Sequence, residues 1–304
     1  MQWQDELCTP FVSMSSKQRN ISDRLKDRVP EYAAGFCSSA TNILLTYPVN
    51  KLIFRQQIYR LKTNDAYQQL KREGFPILYR GMTLPMLQKT FSLSIMFGAT
   101  AHYLHMFQTF SKTDRWYYQP IASALAGSTE AFLTPLERTQ VLLQTPKYNH
   151  TIRNALHAFI LMYKEYGILE YYRGFTLILI RNSLSNVIFF ACRKPLKDAF
   201  PTPSTKFQHS TYDFISGGLL GAFLSTLTYP INVLKNIQQS DLGAQHGRPW
   251  KILLSVYEQR GNSIKEFYIG AKWNFIRSII SWGIINSTYE YYLNMLRKVV
   301  RNDS

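Results

Sequence analysis

Along the chain, long apolar stretches carry isolated polar residues and run into proline-led polar clusters. Residues 31–59, 116–144 and 210–239 read as long helices with Pro48, Pro135 and Pro230 near their ends. Residues 82–108, 175–199 and 271–298 read as a second long set. Between them, 63–73, 151–166 and 249–260 have the spacing of short amphipathic helices, as in AYQQLKREG and ALHAFILMYKEYG. A proline inside a helix removes a backbone hydrogen bond and bends the axis. Three such bends at equivalent places let the helices converge and close a bundle at one end. Each long helix exceeds the roughly 20 residues needed to cross a bilayer. No charge-free apolar run of about 18 residues stands out, so hydropathy alone favours a soluble protein. That default weakens where helices face one another round a polar interior, because each needs only one lipid-facing stripe. Small residues, as in SGGLLGAF (Ser216–Phe223), permit close helix contact.

The pattern repeats. YPVNKLIFRQQ from Tyr47, TPLERTQVLLQ from Thr134 and YPINVLKNIQQ from Tyr229 each have proline, a polar residue two on and glutamine nine on. Their spacing of roughly 90 residues is too long for the common solenoids. A second landmark follows each: EGFPILYRG ending at Gly81, YGILEYYRG ending at Gly174, and RGNSIKEFYIG ending at Gly270. The third copy has two extra residues and has lost the arginine. The organisation expected is a polar N-terminal extension over 1–27 and three modules over 28–112, 113–204 and 205–300.

These paired motifs resemble those of the mitochondrial carrier family, over nearly the whole chain from about residue 28. FRQQ (Phe54–Gln57), PLERTQVLLQ, RNSLSN (Arg181–Asn186), PINVLK and SWGIIN (Ser281–Asn286) look like its NAD+ carrier branch. The resemblance implies an all-α membrane protein: six transmembrane helices in three pseudosymmetric repeats, each with a short matrix-side helix. It implies a multi-pass inner-membrane location, alternating access, NAD+ as transported substrate and a monomer contacting cardiolipin.

The family pairs an acid two after each proline with a base five after the next. Here those places hold Asn50, Glu137 and Asn232, then Ile53, Gln140 and Lys235. One full ion pair is therefore expected, Glu137–Lys235. Asn50 and Gln140 can hydrogen-bond, and Asn232 and Ile53 cannot pair. Gln57, Gln144 and Gln239 match the family's bracing glutamines. At the opposite gate, Tyr289 and Glu290 are retained, while the equivalent places hold Ala101 and Lys194.

Counting seven from the landmark glycines gives Gln88, Arg181 and Arg277; eight gives Lys89, Asn182 and Ser278. The family's substrate contacts lie on these helices near mid-membrane. Five before each proline stand Ile43, Glu130 and Ser225. The expected cavity thus holds Lys89, Arg181, Arg277 and Glu130, with Gln88, Asn182 and either Asn186 or Asn286. Arginine forks bind phosphate oxygens bidentately, and lysine acts as a point charge. The expectation is that Arg181 and Arg277 hold a pyrophosphate. Glu130 then faces the cationic nicotinamide ring or a ribose, or else forms a structural pair with Lys89.

Composition sharpens the alternatives. The chain has 304 residues, with 35 Lys+Arg against 19 Asp+Glu and a net charge of +16. Anionic lipid, an anionic substrate and nucleic acid all fit that charge. The cations are dispersed and phased with the repeats, which disfavours nucleic acid. Carriage of another phosphate-bearing metabolite (a nucleotide, CoA or a flavin) stays open, as does a transport-inactive scaffold. The histidines at 102, 105, 150, 157, 209 and 246 lack catalytic or zinc spacing, and no glycine-rich phosphate loop appears. No enzyme activity, metal or cofactor is expected. Cys8, Cys37 and Cys192 suggest no disulfide framework. With acids as early as Asp5 and Glu6, no cleavable presequence is expected.

Overall fold

The computed structural model describes residues 21–111, 117–199, 201, 206–243 and 249–302. Expectations for residues 1–20, which include Cys8, for His246, and for the boundaries at 112–113 and 204–205 fall outside these residues. So do those for the side chains of Lys194 and His209. Every regular element among the described residues is helical. The first third holds α1 (Ile21–Tyr59), α2 (Thr63–Glu73), α3 (Phe75–Leu78) and α4 (Thr83–Ser111). The middle holds α5 (Tyr118–Glu130), α6 (Thr134–Gln144), α7 (Ala155–Leu161) and α8 (Phe175–Asp198). The last third holds α9 (Lys206–Leu227), α10 (Tyr229–Ser240), α11 (Pro249–Gln259) and α12 (Ala271–Asn302). The first helix begins at Ile21, inside the expected polar extension.

Two of the three proline helices differ from expectation. Residues 116–144 and 210–239 are each split into two helices rather than bent as one. Pro135 and Pro230 stand in the first turn of α6 and α10. A first-turn proline needs no N–H partner and its fixed φ suits the position, so the chain starts afresh there. A 3₁₀ turn, Ala131–Leu133, bridges α5 to α6. The bend between Ile215–Leu227 and α10 is 56°. Pro48, by contrast, sits within an unbroken α1.

The long helices pack in chain order into a closed ring: α1 on α4, α4 on α5, α5 on α8, α8 on α9, α9 on α12, and α12 back on α1. At the proline end, α10 also touches α1, α6 and α8. One helical stretch among the described residues, Ile168–Arg193, is long and apolar enough alone to cross a membrane. The bent pair Ile215–Leu227 with α10 passes as one broken span. Close approach is built with glycine. A Cβ on Gly127 would lie 2.6 Å from the Ser183 backbone, and one on Gly221 2.5 Å from the Trp282 indole nitrogen.

Each landmark motif turns on two left-handed glycines: Gly74 and Gly81, Gly167 and Gly174, Gly261 and Gly270. Their φ values run from +67° to +88°, a region that glycine alone adopts freely. The second of each pair abuts the next third of the chain. A Cβ there would meet Leu143 at 3.0 Å from Gly81, Gln239 at 3.2 Å from Gly174, and Gln56 at 3.1 Å from Gly270.

Candidate functional site

The restart at Pro135 places Glu137 in the first turn of α6, where a carboxylate faces the positive end of the helix dipole. It is buried, and three donors converge on it. Lys235 Nζ lies 3.0 Å from Oε2, Arg181 Nη2 lies 2.8 Å from Oε1, and Gln88 Nε2 donates to Oε1 at 2.6 Å. The expected pair with Lys235 is therefore joined by two residues that the sequence assigned to the ligand cavity. Arg181 is otherwise held by Asn232 Oδ1 at 3.0 Å and by Asn182 Oδ1 at 2.7 and 2.9 Å. Its guanidinium is thus engaged on all three nitrogens. No side-chain hydrogen bond joins Asn50 to Gln140 among the described residues. Asn232 turns to Arg181, while Ile53 packs in an apolar cluster with Val233, Leu234, Val256 and Phe267.

Deeper along the ring the cations differ. Arg277 Nη2 donates to Asn274 Oδ1 at 3.0 Å, and its Nε is buried without a partner. Lys89 has no acid within ion-pair distance among the described residues; the charge acting on it is that of Arg277. Both cations are half-buried, and a cation held partly from water without a counter-charge is costly. The expected Lys89–Glu130 pair is not formed. Ser92, one turn beyond Lys89 on α4, takes the Glu130 carboxylate instead, and the cation acting on Glu130 is Arg181. Ser225 and Ser278 bond each other at 3.0 Å, Asn186 is buried, and Asn286 is tied to its own helix at Trp282 O. Ser92 and Asn274 were missed by residue counting. Their signal was the helical i, i+3 offset from Lys89 and Arg277.

A family profile described as mitochondrial carrier protein matches residues 112–204 and 207–300. The chain is 42% identical, over 94% of its length, to the human mitochondrial nicotinamide adenine dinucleotide transporter SLC25A52, covering 97% of that protein. Its identity to human SLC25A51, a transporter of the same description, is also 42%, with the same coverage. For the mouse SLC25A51 it is 42% over 87% of this chain and 89% of the relative.

The chain belongs to the mitochondrial carrier family.

The three glutamines of this carrier brace the landmark turns in more than one way. Gln144 Nε2 donates to Tyr47 OH at 3.2 Å, and Tyr47 OH donates to Arg80 O at 2.7 Å. Tyr229 OH likewise donates to Ile269 O at 2.7 Å, while Gln57 accepts from Asn236. Where the second repeat has Thr134 in place of that tyrosine, Gln239 Nε2 reaches the equivalent carbonyl, Arg173 O, directly at 2.9 Å. A shorter side chain is thus bridged by the glutamine itself.

Below this layer the thirds of the carrier are joined by guanidinium groups. Arg80 donates to Asn149 O and Oδ1 at 2.8 and 2.9 Å and to Ile152 O. Arg138 reaches Gln239 O and Asp241 O and pairs with Glu170, which Arg173 also holds at 2.6 Å.

Proposed function

We propose that this carrier moves NAD+ across the mitochondrial inner membrane by alternating access through the ring. On this reading its six helical columns cross the bilayer as three repeats, with α2, α7 and α11 on the matrix side. The protein works as a monomer, and its YRG, YRG and YIG turns face anionic lipid such as cardiolipin. The chemistry is non-covalent throughout, without cofactor or nucleic acid.

The observation that carries the reading is the pair of half-buried cations Lys89 and Arg277, on α4 and α12, with no acid within ion-pair distance among the described residues. Cations without a counter-charge suit an anion, and a pyrophosphate supplies two adjacent anionic groups. Glu130, held by Ser92, offers the opposite charge to the cationic nicotinamide ring. The relatives named as NAD transporters support the same ligand. Arg181, the other arginine expected to hold the pyrophosphate, also ties Glu137 to Asn232. A phosphate drawing on Arg181 would weaken the hold on Glu137, giving the bound ligand the differential interaction that a population shift requires.

Uptake of labelled NAD+ into liposomes containing the purified protein tests this. Arg277→Ala is expected to abolish uptake while leaving membrane insertion intact; uptake at the wild-type rate would overturn the assignment. Glu130→Gln is expected to lower the preference for NAD+ over NADH, whose ring is neutral. Efficient competition by unlabelled nucleotide, CoA or flavin would identify another phosphate-bearing substrate.

A further inference from the structure

Three seams join the repeats at the proline end, and one of them departs from the rest. At the seam from repeat 1 to repeat 2, the landmark arginine Arg80 crosses to main-chain carbonyls of the next repeat. At the seam from repeat 2 to repeat 3, Arg138 does so. At the seam from repeat 3 to repeat 1 the landmark position is Ile269, which cannot donate. The inner gate places there, Asn232 and Ile53, do not pair either. By residue type alone, this seam should be the weakest of the three.

The structure fastens it from outside. Arg260 stands where the first repeat has the acid Glu73. It is buried, donates to Gln57 O of repeat 1 at 2.6 Å, and also donates to Glu266 O. Arg60 approaches from the other side. Its Nε and Nη2 reach Glu266 Oε2 at 3.1 and 2.7 Å, and its Nη1 reaches Gln259 O at 3.1 Å. Trp273 Nε1 adds a bond to Thr63 Oγ1 at 3.0 Å.

Backbone strain gathers at the same place. Among the described residues, the non-glycine positions with left-handed backbone are Arg60 and Asn262, both at φ +55°. One carries the Glu266 contact; the other lies in the two-residue insertion that follows Arg260. Such conformations persist only where surrounding contacts enforce them, and they concentrate at clamps and switch regions. An ordinary exposed ion pair would carry little weight. A residue held both by its carboxylate and by its main-chain carbonyl, a buried guanidinium and two strained turns at one seam are a built fastening.

We propose that Arg60, Arg260 and Glu266 form an outer matrix latch between repeats 3 and 1, closing the seam whose inner gate pair is missing and opening in every transport cycle. The proposal rests on the reading of the proline end as the matrix gate.

The test uses the full chain with Cys8, Cys37 and Cys192 replaced by serine, carrying Arg60→Cys and Glu266→Cys together. A flexible bismaleimide joins the two cysteines, and labelled NAD+ uptake is measured. Crosslinked protein is expected to lose uptake, while each single-cysteine variant treated with the same reagent retains it. Crosslinked protein that transports like the single variants would show a static staple and overturn the latch. Should no variant transport NAD+, the substrate reading fails separately, and the latch is then read from thermal unfolding in detergent. Arg60→Glu and Glu266→Arg should each lower the midpoint, and the double swap should recover it. Additive losses in the double swap would refute the contact.

Discussion

Glu170 shows how one carboxylate stabilises a junction of several segments. It is buried between Arg138 and Arg173, and the amide of Gly243 also points at it from 3.4 Å. Glu170→Gln should cost about 3–5 kcal/mol at neutral pH, because it leaves two buried guanidinium groups without their carboxylate. Thermal scans of the two proteins measure the loss. Legibility at this scale depended on phasing. The Glu137–Lys235 contact follows from counting off the prolines, since both partners sit in the repeated motif. The capture of Arg181 by Glu137 does not. It links a position counted from a glycine to one counted from a proline, and their separation in space is fixed only by how the helices pack. The same holds for Ser92, which displaces Lys89 at Glu130 because a hydroxyl one turn further along reaches the carboxylate first.

Helix boundaries were largely legible, because turn glycines such as Gly74 and Gly167 mark them; the short middle helix starts at Ala155 rather than 151, where Asn154 caps it by accepting from His157 N at 2.8 Å. The splitting of two long helices was not legible. Proline predicts a break in the ladder but not whether the axis bends through it or restarts beyond it, and Pro48 differs from Pro135 and Pro230 on that point. The splits matter for the site, since the restart gives Glu137 a helix terminus to face. Close packing sets a second constraint. Gly127 lets α5 approach α8 until any Cβ would lie 2.6 Å from the Ser183 backbone. Gly127→Ala should force the two helices apart and cost about 1–3 kcal/mol, read as a lower unfolding midpoint. Gly35→Ala, where a Cβ would meet nothing within 4 Å, is the control with no such loss.

Across the whole carrier, threefold sequence symmetry becomes a ring with three chemically different seams. The all-helical character was legible in the repeated motifs. The seams were not predictable, since each substitution away from the pattern is answered by a residue elsewhere. Thr134 is answered by Gln239, and Ile269 by Arg260. What these fastenings read explains how such exchange is tolerated. Tyr47, Gln239 and Tyr229 end on the carbonyls of Arg80, Arg173 and Ile269. Every residue type offers that oxygen, so the bond registers where the main chain runs and ignores what it carries. The glycine that follows has no such freedom, because its left-handed φ and the tyrosine oxygen 2.6 Å from any added Cβ leave no room at Gly270. Saturation substitution should therefore find position 269 permissive and position 270 almost closed in yield of folded protein. That would make the neighbouring pair a local ruler that separates information held in the backbone from information held in the side chains.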